Sequence, residues 1–213
     1  MNIDNFWIKQ SKLVEWYKKP SIAFKKKKNN FVDWFPDGKI NIYHNCITKN
    51  LKLNLGEKIA IYFVNDKKEI LSYTYKDLSN KIEYFSNIIL KKFKNKKISN
   101  KKIIIHSSAS LEAAVSMLAC AKMGIHFSVI FEDLAPEAIS KRISLLKPDL
   151  LISRFNKKKF NDQILTKMKV NNKIKFLFFG DENYFGNIKI IKKNLDNNFS
   201  SNKDFFTLFT SGS

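Results

Sequence analysis

Thr210, Ser211, Gly212 and Ser213 carry the clearest chemistry in this chain, directly after the apolar run Phe206–Phe209. A small, hydroxyl-rich turn at the end of a buried strand can present backbone N–H groups to a phosphate. Phosphate loops of this kind continue through further glycine and a lysine; here the sequence stops at Ser213. The cationic residues are nearly all lysine, since Arg142 and Arg154 are the only arginines, and Arg154 lies close to the run Lys157–Lys159. Cys46 and Cys120 form neither a disulfide framework nor a metal set. His44, His106 and His126 are far apart and lack ligand spacing. These patterns predict no metal site and no catalytic side chain within the chain.

The terminal turn depends on the elements that deliver it. Residues 1–35 hold Phe6, Trp7, Trp16, Tyr17, Phe24, Phe31, Trp34 and Phe35 between lysine runs, without a clean period. They read as an irregular aromatic arm wrapping a core. Pro36-Asp37-Gly38 is a turn signal, and Ile40–Leu51 reads as a helix. Lys58–Val64 and Glu69–Tyr75 form a hairpin pattern around Asn65–Lys68. Thr74 with Asp77 resembles a capping box. Leu78, Ile82, Phe85 and Ile89 recur at helical spacing, which predicts a helix over Tyr75–Phe93.

Strands and helices then alternate. Strands are predicted at Lys102–His106, Ile125–Phe131, Leu150–Ser153, Lys173–Phe179 and Asp204–Phe209. Helices are predicted at Leu111–Met123, with Val115, Leu118, Ala119 and Cys120 buried, and at Pro136–Leu146. Ser107–Ser110 supplies a polar loop and cap, Gly124 a C-terminal stop, and Asn194–Lys203 a polar linker. The fold class is therefore α/β, a mostly parallel sheet with covering helices. Ligands of such sheets gather at the carboxyl ends of the strands, where the terminal turn is expected.

A net charge of +20 ordinarily suggests nucleic acid. The near absence of arginine, the residue of bidentate phosphate and base recognition, argues against it, and the lysines are scattered as solvated pairs and runs. No signal peptide opens the chain and no apolar window is long enough for a membrane span. A cytoplasmic protein with no membrane or nucleic-acid partner is expected.

Three segments resemble the AMP-forming acyl-CoA synthetases, and among them the acetyl-CoA and propionyl-CoA synthetase branch. Trp34-Phe35-Pro36-Asp37-Gly38-Lys39-Ile40-Asn41, running on to Asn45-Cys46, is similar to the branch's WF-x-G-G-K-L-N pattern and following N-C pair. Ser116–Phe131 is similar to MLAC-A-x-x-G-A-x-HSVVF. Phe209–Ser213 looks like the opening of the phosphate loop [YF]TSGSTG-x-PKG, and the helix start Thr74–Leu78 also fits. The motifs occur in the family's order over about residues 16–213.

The resemblance implies the N-terminal part of an adenylate-forming large domain, with residues 1–57 as arm and first helix and 58–213 as the α/β portion. It implies ATP, AMP, CoA and Mg2+ as the family's ligands. Thr210, Ser211, Gly212 and Ser213 would contact ATP phosphates, and CoA's thiol would attack the acyl-adenylate. Three departures qualify this. The family's adenine pocket, magnesium-organising acid and C-terminal lysine lie past Ser213, so the chain is expected to be inactive alone, with a separately encoded C-terminal part as a possible partner. Glu132-Asp133-Leu134 replaces the Gly-Gly-Phe that lets CoA approach, and carboxylates repel its phosphates. The family's arginine pair near CoA is unmatched; Arg154, Lys157 and Lys159 are substitutes. The acyl chain is not specified. A non-catalytic remnant of the same fold is the alternative reading.

Overall fold

The structure is a computed structural model. It describes residues 2–28, 31–65, 67–94, 98, 100–167, 174–181 and 198–210. The N-terminal arm is more regular than its sequence predicts. Helix α1 (Ile3–Gln10) is capped by the Asn2 side chain, which accepts from the Asp4 N–H. Strands β1 (Phe24–Lys26) and β2 (Val32–Trp34) pair antiparallel. Three-residue strands are too short to show a period. Aromatic contacts hold them instead: the Trp34 ring lies 4.9 Å from Trp7 and 5.6 Å from Phe24 between centroids.

Phe35–Gly38 forms the expected turn, with the Gly38 N–H donating to the Phe35 carbonyl. A Cβ on Gly38 would stand 2.6 Å from the Trp16 ring, so that close approach requires glycine. Lys39–Ile40 is a short strand, β3, rather than the start of the predicted helix. The helix begins after it, with a π-helical stretch His44–Thr48 leading into α2 (Lys49–Lys52). Strands β4 (Ile59–Val64) and β5 (Ile70–Thr74) make the hairpin. The capping box closes on both sides, Thr74 with Asp77, and opens α3 (Tyr75–Lys92).

The parallel sheet comes next. Its elements are β6 (Lys102–His106), α4 (Leu111–Met123), β7 (His126–Ile130), α5 (Pro136–Leu146), β8 (Leu150–Ser153), α6 (Lys157–Gln163) and β9 (Lys175–Phe178). The strand order is β7-β6-β8-β9, and all three pairings are parallel. Alternate side chains bury on opposite faces, as the period of two demands. Ile103, Ile105, Leu150 and Ile152 join Ile82, Phe85, Val115 and Ala119 of α3 and α4 in one apolar cluster. Ile104 and Leu151 join Ile139, Ile143, Leu146 and Phe160 of α5 and α6 in the other. Val115, Ala119 and Cys120 are buried as predicted; Leu118 is only partly buried, at the margin of its cluster.

Two predicted segments behave differently. Asp204–Phe209 does not form a fifth strand. Phe206 makes one parallel bridge with Phe127, supported by Phe127 N–H to Phe205 O and Thr207 N–H to Phe127 O, each 3.0 Å. The ladder goes no further because the Ser128 hydroxyl, not a backbone N–H, donates to the Thr207 carbonyl at 2.7 Å. The polar linker contains a strand: β10 (Phe199–Ser200) pairs antiparallel with β3. Gly124, at φ 63°, ends α4 and leaves room for Phe199, whose ring would lie 2.4 Å from an added Cβ. Lys173 of the predicted fourth strand, and 194–197 of the linker, lie outside the described residues.

Candidate ligand site at the carboxyl ends of the strands

Neighbouring strands β6 and β8 send their following helices to opposite faces: α4 packs in the first apolar cluster and α6 in the second. Such a divergence opens a crevice at the carboxyl ends, the usual ligand position in open α/β sheets. The first polar residues after three strands meet there. His106 ends β6 and is followed by Ser107 and Ser108; Glu132 follows β7; Ser153 ends β8 and Arg154 follows it.

The crevice is already wired internally. Arg154 Nη1 donates to Glu132 Oε1 and to Ser108 Oγ, each at 3.0 Å, and the Ser108 hydroxyl donates to the same Glu132 oxygen at 2.7 Å. Ser107 Oγ lies 2.9 Å from Ser110 Oγ, and Ser110 caps α4 by accepting from the Ala113 N–H. Backbone bonds extend the sheet into this region: Ser107 N–H to Ile130 O and Arg154 N–H to His106 O.

His106 is fully buried. Its Nδ1 lies 2.9 Å from Ser153 Oγ, which also accepts from the Phe155 N–H. Its Nε2 has no hydrogen-bond partner among the described residues. The ring packs against Phe155 and Phe160. Burial pushes its pKa down to about 4; Glu132 opposes that shift and Lys159 adds to it. His106 is therefore neutral at pH 7 and spans the ends of β6 and β8 as a packed group. Beside this cluster, Glu132, Leu134, Pro136, Ile139, Phe155 and Asp162 help line a cleft of about 280 Å3.

The predicted phosphate-binding cations fall nearby but are not pooled. Arg154 faces Glu132. The Lys159 ammonium sits 3.6 Å from the Phe155 ring centroid. Lys157 is exposed, and its backbone N–H donates to the Asp181 carboxylate at 2.9 Å. Thr210 is exposed; Ser211, Gly212 and Ser213 lie outside the described residues. Phe209, just before Thr210, packs against the α5–α6 cluster, with the Arg142 guanidinium 5.6 Å from its ring centroid. The chain therefore travels along the β7 edge toward the carboxyl ends. Among the described residues no three His, Cys, Asp or Glu side chains group as metal ligands, and no helix is long and apolar enough to cross a membrane.

Sequence reasoning missed Ser108, His106 and the Glu132–Arg154 pairing. The available signal was positional: each is among the first polar residues at or just after the carboxyl end of an apolar parallel strand.

Residues 1–46 match the family model described as acetyl-coenzyme A synthetase N-terminus, and residues 52–213 match the model of the AMP-binding enzymes. The chain belongs to the AMP-binding enzyme family. Within this AMP-binding enzyme family it corresponds to the N-terminal part of the acyl-CoA synthetases. It is 35% identical over 195 residues to the acetyl-coenzyme A synthetase of Leptospira biflexa, covering 84% of this chain and 29% of that protein. It is 31% identical over 153 residues to the acetyl-coenzyme A synthetase of Helicobacter acinonychis, covering 71% and 23%. Acetoacetyl-CoA synthetase from Streptomyces lividans shares the fold at 14% identity and a TM-score of 0.63, over 82% of this chain and 30% of that one. The chain thus spans less than a third of the length of these relatives.

Proposed function

We propose that this chain supplies the N-terminal part of an AMP-forming short-chain acyl-CoA synthetase, of the acetyl-CoA or propionyl-CoA type. The complete reaction joins a carboxylate to CoA at the expense of ATP, releasing AMP and pyrophosphate. The observation that carries this reading is the succession of two family matches, the synthetase N-terminus over 1–46 and the AMP-binding enzymes over 52–213.

Thr210, Ser211, Gly212 and Ser213 take the phosphate-contacting role; in sequence they come after the segment that runs beside β7. Their N–H and hydroxyl groups contribute about 1–3 kcal/mol each when charge-assisted. Stabilising the charge that develops during adenylation takes a cation and preorganised donors worth several kcal/mol more. The 213 residues therefore do not adenylate a carboxylate alone. They work with the remainder of the synthetase, which contributes the base pocket and magnesium ligands.

The test is acetate- or propionate-dependent pyrophosphate release from ATP. It is measured with the 213-residue chain and with its mixture with a polypeptide starting at the family's TG-x-PKG segment. Release only in the mixture supports the proposal. Release by the chain alone refutes it. Silence in both favours a non-catalytic remnant, a reading to which the Glu132–Arg154 pair lends support by engaging the arginine that would substitute for the family's unmatched CoA arginines.

A further inference from the structure

We propose that Glu132 reserves Arg154 for the fold and thereby closes the strand-end crevice to the nucleotide phosphates of CoA. The identity of that ligand rests on the family reading; the closure rests on the geometry.

A phosphate site needs a cation whose donors are available and whose surroundings lack negative charge. At Arg154 the Nη1 donor is taken and a carboxylate stands beside it. That donor is shared between Glu132 Oε1 and Ser108 Oγ, each at 3.0 Å. That carboxylate oxygen also holds the Ser108 hydroxyl, so a single group ties together the ends of β6, β7 and β8. Glu132 is the more buried partner, its side chain 11% exposed against 36% for Arg154. An incoming phosphate would have to displace a carboxylate that is bonded twice and cannot swing fully into water. Were it to bind alongside, it would face that carboxylate's charge.

The neighbouring lysines do not gather at Arg154. Lys159 lies over Phe155, and the Asp181 carboxylate, held by the Lys157 backbone N–H, adds negative charge beside the run. CoA's phosphates therefore do not fit these residues, and the arginine expected to receive them works instead as a strap between strand ends.

The experiment uses the two arginines of the chain, whose guanidinium NMR signals separate by a single Arg142→Ala control. Adenosine 3′,5′-bisphosphate, the nucleotide end of CoA, is titrated into the 213-residue chain, with adenosine alone as the arm that reports stacking. In the wild type the Arg154 signals are expected to stay unmoved. Glu132→Gln keeps the shape and removes the charge. It should bind the bisphosphate about tenfold or more tightly than wild type, with saturable movement of the Arg154 signals. Glu132→Gln with Arg154→Ala should lose that binding.

Saturable binding by the wild type that vanishes in Arg154→Ala overturns the proposal. So does a folded Glu132→Gln that binds no better than wild type. If Glu132→Gln does not fold, the wild-type titration decides alone: protected Arg154 Nη protons that persist at high ligand support closure, and their loss on titration overturns it. Pyrophosphate release by the mixed polypeptides is a separate readout, so either proposal can fail without the other.

Discussion

The Lys122–Glu83 pair between α4 and α3 and the Arg154–Glu132 pair at the sheet's carboxyl edge use the same charges in opposite surroundings. Lys122 and Glu83 are 7% and 15% exposed; Arg154 and Glu132 are 36% and 11%. Lys122 also lies over the Tyr43 ring, and its carbonyl accepts from Asn41. Burial pushes the Lys122 ammonium down to about 8 despite the carboxylate beside it. That pair is an anchor, pinning the segment before α2 onto the helices that cover the sheet. The edge pair keeps one partner in contact with water and closes a crevice. Depth, more than the type of pair, decides which is indispensable.

The sharpest test of this contrast is to remove one acid from each. Glu83→Ala takes the carboxylate away from a buried ammonium and should cost about 3–5 kcal/mol, read as a lower urea midpoint. If its loss is no greater than that of Glu132→Ala, depth is not what separates the two pairs.

The edge has its own deep group. His106 titrates at about 4 when folded against 6.5 ordinarily. Between those values the unfolded chain binds the extra proton, so the His106 contribution is complete above pH 6.5 and stability falls as pH drops toward 4. The loss should be on the order of 3 kcal/mol at its limit. Urea unfolding of the wild type at stepped pH should show this slope, and His106→Gln should flatten it. An unchanged slope would assign the acid sensitivity to other groups.

Gly124→Ala tests the other attachment of the N-terminal segments. It adds a Cβ at positive φ against the Phe199 ring, where β10 meets β3. The expected cost is about 1–3 kcal/mol, measured by thermal unfolding. Glu132→Ala should cost about 1 kcal/mol, because Arg154 recovers solvation in part. Lys157→Ala, an exposed side chain, should lie within about 0.5 kcal/mol of wild type by the same measurement. A larger change would show that the lysine run takes part in the edge network.

Much of the fold was legible in the chain. The helices Leu111–Met123 and Pro136–Leu146 and the strands Lys102–His106 and Leu150–Ser153 have the bounds their patterns predict. Continuous apolar strands between capped helices leave a parallel, doubly covered sheet as the way to bury them. Short elements were not legible. Strands β1, β2, β3 and β10 have two or three residues each, too few for a period, and they exist because distant partners such as Trp7, Gly124 and Phe199 hold them.

The candidate site divides the same way. Local sequence determined which residues follow each strand, because strand ends are written in apolar runs and caps. It determined the family too, through motifs in order along the chain. Which of those residues meet was decided by the strand order β7-β6-β8-β9, which brings Ser108, Glu132 and Arg154 together from three separate strand ends. Glu132 and Arg154 look like a repelling acid and a spare cation when read singly. Only a crossover that returns past β6 makes them partners, since the Coulomb attraction that joins them depends on distance in space and not along the chain.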